Sequence, residues 1–268
     1  MALVACCSAS GSPGVTTGTL GLALNWPRDV LLVDADRDPA QAIAAGFLSG
    51  VELGGRGLAH VALAHRDRRP LVDEVWHQTL PLSEGTPSRR FLPGFASAGA
   101  AHSFDASWGS AASALRDLGR AGTDVIVDAG RIGRGLPAGL VGESDVALVF
   151  VRSDLRALAA LRIALPVVSA QTTSAQLGLV LVGPGRPYSA REVEAQFGVS
   201  VWGELPFEPR QAAVLSDGQA MPRGFAGGAL VRGLRRTAGR IDEQVRNRIE
   251  TIDGARDASW WQPAGVGR

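Results

Sequence analysis

Five short, continuously apolar runs recur along the chain, parted from one another by stretches with helical spacing. They are Ala2–Cys7, Asp29–Asp34 (DVLLVD), Asp124–Asp128 (DVIVD), Asp145–Val151 and Leu177–Val182. Each is too short for a helix and lacks polar–apolar alternation, the pattern of a strand covered on both faces. Arg89–Leu92, closed by Pro93-Gly94, and Val199–Glu204 add two shorter strands. Helices are predicted over Thr16–Asn25, Pro39–Leu48, Asp105–Arg120, Leu155–Leu165, Ala190–Phe197, Glu208–Leu215 and from Gly227 onward. Repeated β–α units of this kind predict an α/β fold: a doubly wound, mostly parallel sheet with helices on both faces. Ligands on such sheets gather at the carboxyl ends of the strands.

The turn after the first strand carries the most chemistry. Ser10-Gly11-Ser12-Pro13-Gly14-Val15-Thr16-Thr17 has the glycine spacing and paired hydroxyls of a phosphate-binding loop. Main-chain N–H groups and the positive end of the following helix hold an anion without side-chain charge. Thr16 stands where a hydroxyl would ligate magnesium. Val15, however, fills the slot of the loop lysine. All 27 basic residues are arginine, so no lysine elsewhere can stand in. The alternative is a plain glycine-rich β–α turn. Asp34 and Asp36 follow the second strand and Asp128 ends a later one. In a phosphoryl-transfer site one such carboxylate holds the magnesium shell and another orients water; the simpler alternative is loop or helix capping.

A length of 268 residues accommodates one large domain with a full core. A formal net charge of +1 gives no electrostatic argument for DNA or an anionic membrane. No secretory signal and no stretch of membrane-spanning length is seen, so a cytoplasmic protein is expected. Cys6 and Cys7 are adjacent in a strand and should point to opposite faces, which disfavours a disulfide between them. Four scattered histidines, His60, His65, His77 and His102, lack metal-ligand spacing.

The order of these motifs resembles the MinD/ParA group of P-loop ATPases with a deviant Walker loop. That group reads K-G-G-x-G-K-T-T where this chain has S-G-S-P-G-V-T-T. Leu31–Asp36 resembles the motif whose second aspartate, here Asp36, helps to activate water. Asp124–Asp128 resembles the Walker B strand, and Ser144–Val149 the strand after it. Leu177–Val182 with Gly183-Pro184-Gly185 stands at the base-binding loop, and Gly203–Phe207, with Pro206, at the strand and loop near the adenine. The resemblance covers about residues 1–240 and implies ATP and magnesium as cofactors. It assigns Asp36 to water activation, Thr16, Asp34 and Asp128 to the magnesium shell, and Gly11, Ser12, Pro13, Gly14, Val15, Thr16, Thr17 and Pro206 to the nucleotide.

The departures matter equally. The family's loop lysine and its dimer-bridging signature lysine fall at Val15 and Ser10. Losing one well-placed electrostatic donor commonly costs about 10²–10³ in rate. Hydrolysis near background is therefore expected unless arginine replaces the lost charge, with Arg37, Arg131 and Arg134 as candidates. The resemblance extends to degenerate members such as the TadZ/CpaE-like proteins of Flp-type pilus and secretion assemblies. It implies a positioning or assembly scaffold with bacterial protein partners and a potential homodimer. An active ATPase using arginine or a partner-supplied cation, and a DNA-partitioning protein of the ParA type, are the alternatives, DNA being disfavoured.

The domain is expected to span residues 1–252, with 253–268 a flexible tail bearing Trp260 and Trp261. The segment 51–109, rich in Gly, Ser, Pro, Arg and His, is expected to be irregular, with a partner surface as one use for it. Leu230, Leu234, Ile241, Val245, Ile249 and Ile252 form an apolar stripe in the final helix. Packing on the sheet is favoured over membrane contact through 227–252, which would put the protein at the inner face of the membrane.

Overall fold

The computed structural model describes residues 2–11, 14–137, 139–172 and 176–259, with side chains described up to residue 247. In chain order the elements are β1 (Leu3–Ser8), α1 (Val15–Leu24), β2 (Val30–Asp34), α2 (Ala42–Ala45), α3 (Leu58–Arg66), α4 (Leu71–His77), β3 (Leu80–Ser83) and β4 (Arg89–Leu92). They continue as α5 (Ala98–Ser103), α6 (Trp108–Arg120), β5 (Asp124–Arg131), α7 (Leu140–Glu143), β6 (Val146–Arg152), α8 (Leu155–Ser169) and β7 (Leu177–Val182). The last are α9 (Ala190–Phe197), β8 (Val201–Leu205), α10 (Pro209–Ser216) and α11 (Ala229–Ser259).

The strands form one sheet in the order β3-β4-β2-β5-β1-β6-β7-β8. Every pairing is parallel except β3 with β4. Alternate residues of the central strands supply different layers. Val4 and Cys6 join a core under α1, α10 and α11, together with Leu32, Ile126, Leu148 and Phe150. On the other face Leu31, Val33, Val125 and Val127 pack against α3–α6, and Ala5, Cys7, Val149 and Leu179 against α8 and α9. This places Cys6 and Cys7 on opposite faces, both buried and free, as strand alternation requires. Burial, the largest cause, pushes the Cys7 thiol up to about 12 and Cys6 well above its ordinary value.

The structure departs from the sequence expectations where local signals are weak. Residues 51–109 are not irregular: besides the expected β4 they hold α3, α4, β3 and α5. Such short helices are marginal alone and persist through packing. Phe95, Phe104 and Trp108 meet edge to face at 4.5–6.0 Å, and the Ser97 hydroxyl caps α5 by accepting from Ala100 N–H at 3.2 Å. The helix expected over 39–48 shrinks to α2, which ends at Gly46, where the backbone packs so closely that a Cβ would lie 2.0 Å from the Ser216 carbonyl oxygen. The helix expected from Asp105 begins at Trp108, after a 3₁₀ turn. α8 runs past Pro166 to Ser169, its last turn held by fully buried Val168.

In α11, Leu230, Leu234, Ile241 and Val245 are buried against the sheet, so this part of the stripe is spent on packing. The side chains of Ile249 and Ile252 are not described, and Trp260 and Trp261 lie outside the described residues. Among the described residues no helix is long and apolar enough to cross a membrane. At the amino ends of the strands, Asp124 accepts from Ala2 N–H at 2.7 Å, Trp26 Nε1 at 2.8 Å and Arg28 Nη2 at 2.6 Å. Arg28 also pairs with Asp242 of α11, tying the last helix to the base of the sheet.

Candidate functional site at the carboxyl ends of the central strands

β1, β2 and β5 end side by side, and their sequences bring the loop glycines and three aspartates to one edge. β1 takes its place between β5 and β6, so the strand order reverses direction there, the topology that opens a ligand crevice. Gly14, with φ +87°, sits in the left-handed region and turns the chain into α1, a conformation that favours glycine. The first N–H groups of α1 have no partner within the helix and face the loop. Gly18 lets α1 approach the sheet closely: a Cβ there would lie 2.3 Å from the Phe150 ring.

Asp34 and Asp128 are register partners on β2 and β5 and both are buried. Burial first, and then the charge of Asp128, push the Asp34 carboxyl up to about 7. Burial likewise raises Asp128 to about 6, against the opposing effect of hydrogen bonds from the Thr16 hydroxyl and Gly130 N–H, the latter 3.0 Å long. Asp36 is half-buried. Its carboxyl is also raised, by burial first, while Asp38 N–H, Arg131 and Arg134 pull it down. Asp36 N–H donates to Asp34 Oδ1 at 3.2 Å, linking the two carboxylates of the β2 turn.

Buried negative charge beside a threonine hydroxyl is a donor set that fits magnesium, a hard cation that keeps waters and phosphate oxygens as most of its ligands. The Thr16 hydroxyl acts on Asp128, and Asp34 is the register partner of Asp128 on the neighbouring strand. Among the described residues no group of three or more His, Cys, Asp and Glu forms a metal cage by itself.

Val15 departs from its expected part. It is 8% exposed and belongs to the apolar core with Val4, Cys6 and Leu20. Its side chain therefore faces no ligand, and only its main-chain N–H remains for an anion. Gly11 and Gly14 are exposed at the loop, and Thr16 and Thr17 are half-buried at the start of α1. Ser12 and Pro13 lie outside the described residues.

Beside the loop, Gly14, Thr17 and Pro206 line a cavity of about 280 Å³ together with Arg152, Val182 and Phe207. Pro206 thus shares a cavity with the loop residues Gly14 and Thr17. Phe207 ends the Gly203–Phe207 stretch read from the sequence as the loop near the adenine, whereas Arg152 was not singled out. The Arg152 guanidinium lies over the Phe207 ring at 4.6 Å, giving the cavity a cationic, aromatic wall. The position of Arg152 at the carboxyl end of β6 was the available signal. A larger groove of about 810 Å³ between α8 and α9 contains neither loop glycines nor the three aspartates. It is therefore not the phosphate site.

No family model matches the chain, and no curated protein does. Solved structures match in fold. A ParA family ATPase from Chlorobium tepidum superposes with a TM-score of 0.69 at 17% identity, covering 89% of this chain and 99% of the other. MinD from Aquifex aeolicus gives 0.68 at 16% identity, covering 91% and 98%. MinD from Pyrococcus horikoshii, complexed with Mg-ADP, gives 0.65 at 15%, covering 91% and 97%. The eight-stranded α/β sheet of this chain is the fold of the MinD and ParA ATPases.

Proposed function

We propose that this chain is a degenerate MinD/ParA-type nucleotide-binding protein that acts as a positioning or assembly scaffold, with weak or no ATPase activity of its own. One observation carries the reading. Val15 is buried in the core at the loop-lysine position, while Thr16, Asp128, Asp34 and Asp36 remain gathered beside an anion-binding turn. The cradle for a magnesium-bound phosphate is kept and the loop's own cation is gone.

ATP with magnesium is the proposed ligand, its phosphates at the start of α1 and its base toward Pro206 and Phe207. Thr16 and Asp128, with Asp34 beside them, would hold a magnesium ion, whose charge would offset the aspartates and polarise the phosphates. The nucleotide-bound state would then serve as a signal to protein partners or to a second copy of the chain. A TadZ/CpaE-like role in a pilus, secretion or division apparatus, in the cytoplasm or at the inner face of the membrane, is the specific form we favour. The second reading, an active ATPase using arginine, draws support from the loop arginine described below.

Calorimetric titration with ATP, with and without magnesium, together with phosphate release, tests the proposal. Magnesium-dependent binding with phosphate release near blank is expected. Brisk turnover by the lone protein would exclude the scaffold reading, and absence of binding would exclude the nucleotide reading.

A further inference from the structure

Three arginines surround the phosphate side of the site, and two are committed elsewhere. Arg37 Nη2 bonds Asp105 Oδ2 at 2.5 Å, and Arg134 Nε lies 3.5 Å from Asp38 Oδ2. Arg131 makes no ion pair within 4.0 Å among the described residues. Its guanidinium lies instead against the phosphate-binding turn: the Cβ position of Gly11 is 3.2 Å from Arg131 Nη2 and 3.4 Å from Cζ.

The backbone aims it there. Along β1 and β5, Cys6 pairs with Asp128 but Ser8 pairs with Arg131, so β5 carries one extra residue between those pairs. The irregularity includes Gly130 at φ +68°. Such a bulge breaks the two-residue alternation and redirects the next side chain. Without it, Asp128 and Arg131 would be three positions apart in a regular strand and would point to opposite faces. With it, the Walker-type strand delivers a carboxylate to Thr16 and a cation to Gly11.

We propose that Arg131 is a phosphate-binding residue that supplies the cation missing at Val15, engaging the terminal phosphates of a nucleotide seated on the loop. The inference rests on the nucleotide reading above. A guanidinium is always charged and offers paired donors suited to phosphate oxygens. Held over the exposed loop glycine, it faces the anion from the open side, whereas a loop lysine would reach it from within.

The test is calorimetric titration of the full chain with ATP, ADP and AMP in magnesium, comparing wild type with Arg131→Ala, Arg131→Gln and Arg134→Ala. Arg131→Gln keeps much of the side chain's length without its charge, and thermal melts establish that each variant is folded. Loss of ATP affinity by about tenfold or more in both Arg131 variants, with AMP affinity unchanged, is expected, tenfold corresponding to about 1.4 kcal/mol. Arg134→Ala should lose clearly less ATP affinity than either Arg131 variant, and equal losses in all three would overturn a specific role for Arg131. If wild type binds ATP and both folded Arg131 variants bind it equally well, the role of Arg131 is overturned while nucleotide binding stands. If wild type binds none of the three nucleotides, the nucleotide reading itself fails and the inference falls with it.

Discussion

Asp34→Asn should make the metal-free protein more stable at pH 8, although it removes a charged residue from the candidate site. Asp34 is only 8% exposed and its register partner is the buried Asp128. Its carboxyl is pushed up to about 7 in the folded chain, from an ordinary value of 3.8. Between these values the folded state binds more protons than the unfolded state, so stability falls as pH rises through that window. Three units at 1.36 kcal/mol each set an upper bound of about 4 kcal/mol lost by pH 8. Coupling to Asp128 spreads the effect over the pair, so the share of Asp34 lies below that bound. Asparagine cannot ionise, keeps a side-chain oxygen to accept the 3.2 Å bond from Asp36 N–H, and offers an amide donor toward Asp128. Urea unfolding in a chelating buffer at pH 5 and pH 8 measures this directly. The variant should gain its advantage between the two pH values, and added magnesium should stabilise wild type more than the variant at pH 8. Parallel pH profiles for the two proteins, or a less stable variant at pH 8, would refute the idea that Asp34 is held at electrostatic cost for a cation.

Gly130→Ala should both strain the chain and disturb the site, because a Cβ at φ +68° would lie 2.1 Å from Asp36 Oδ1. A loss of at least about 1–3 kcal/mol in urea unfolding is expected, with weakened nucleotide binding in calorimetry. Asp124→Ala acts far from the site. It strips the acceptor from Ala2 N–H, Trp26 Nε1 and Arg28, and should cost about 3–5 kcal/mol in chemical denaturation.

The sequence by itself determined the α/β class, since apolar runs a few residues long can satisfy their backbone and stay buried only as covered parallel strands. It also placed the loop, Thr16 and the three aspartates at one edge, because strand ends in a doubly wound sheet converge by topology. The loss of lysine at Val15 was legible residue by residue. The fate of that position was not: the depth of the first turn of α1, set by contacts with β1 and β6, makes Val15 a core residue. The helices of 51–109 were hidden because their short amphipathic stretches are stabilised by distant partners such as Val33 and Val125. The aim of Arg131 depended on a one-residue mismatch between β1 and β5, which exists only once the two strands are paired. Pairing register, close packing and side-chain direction are relations between segments remote in sequence, and they decided what local pattern left open.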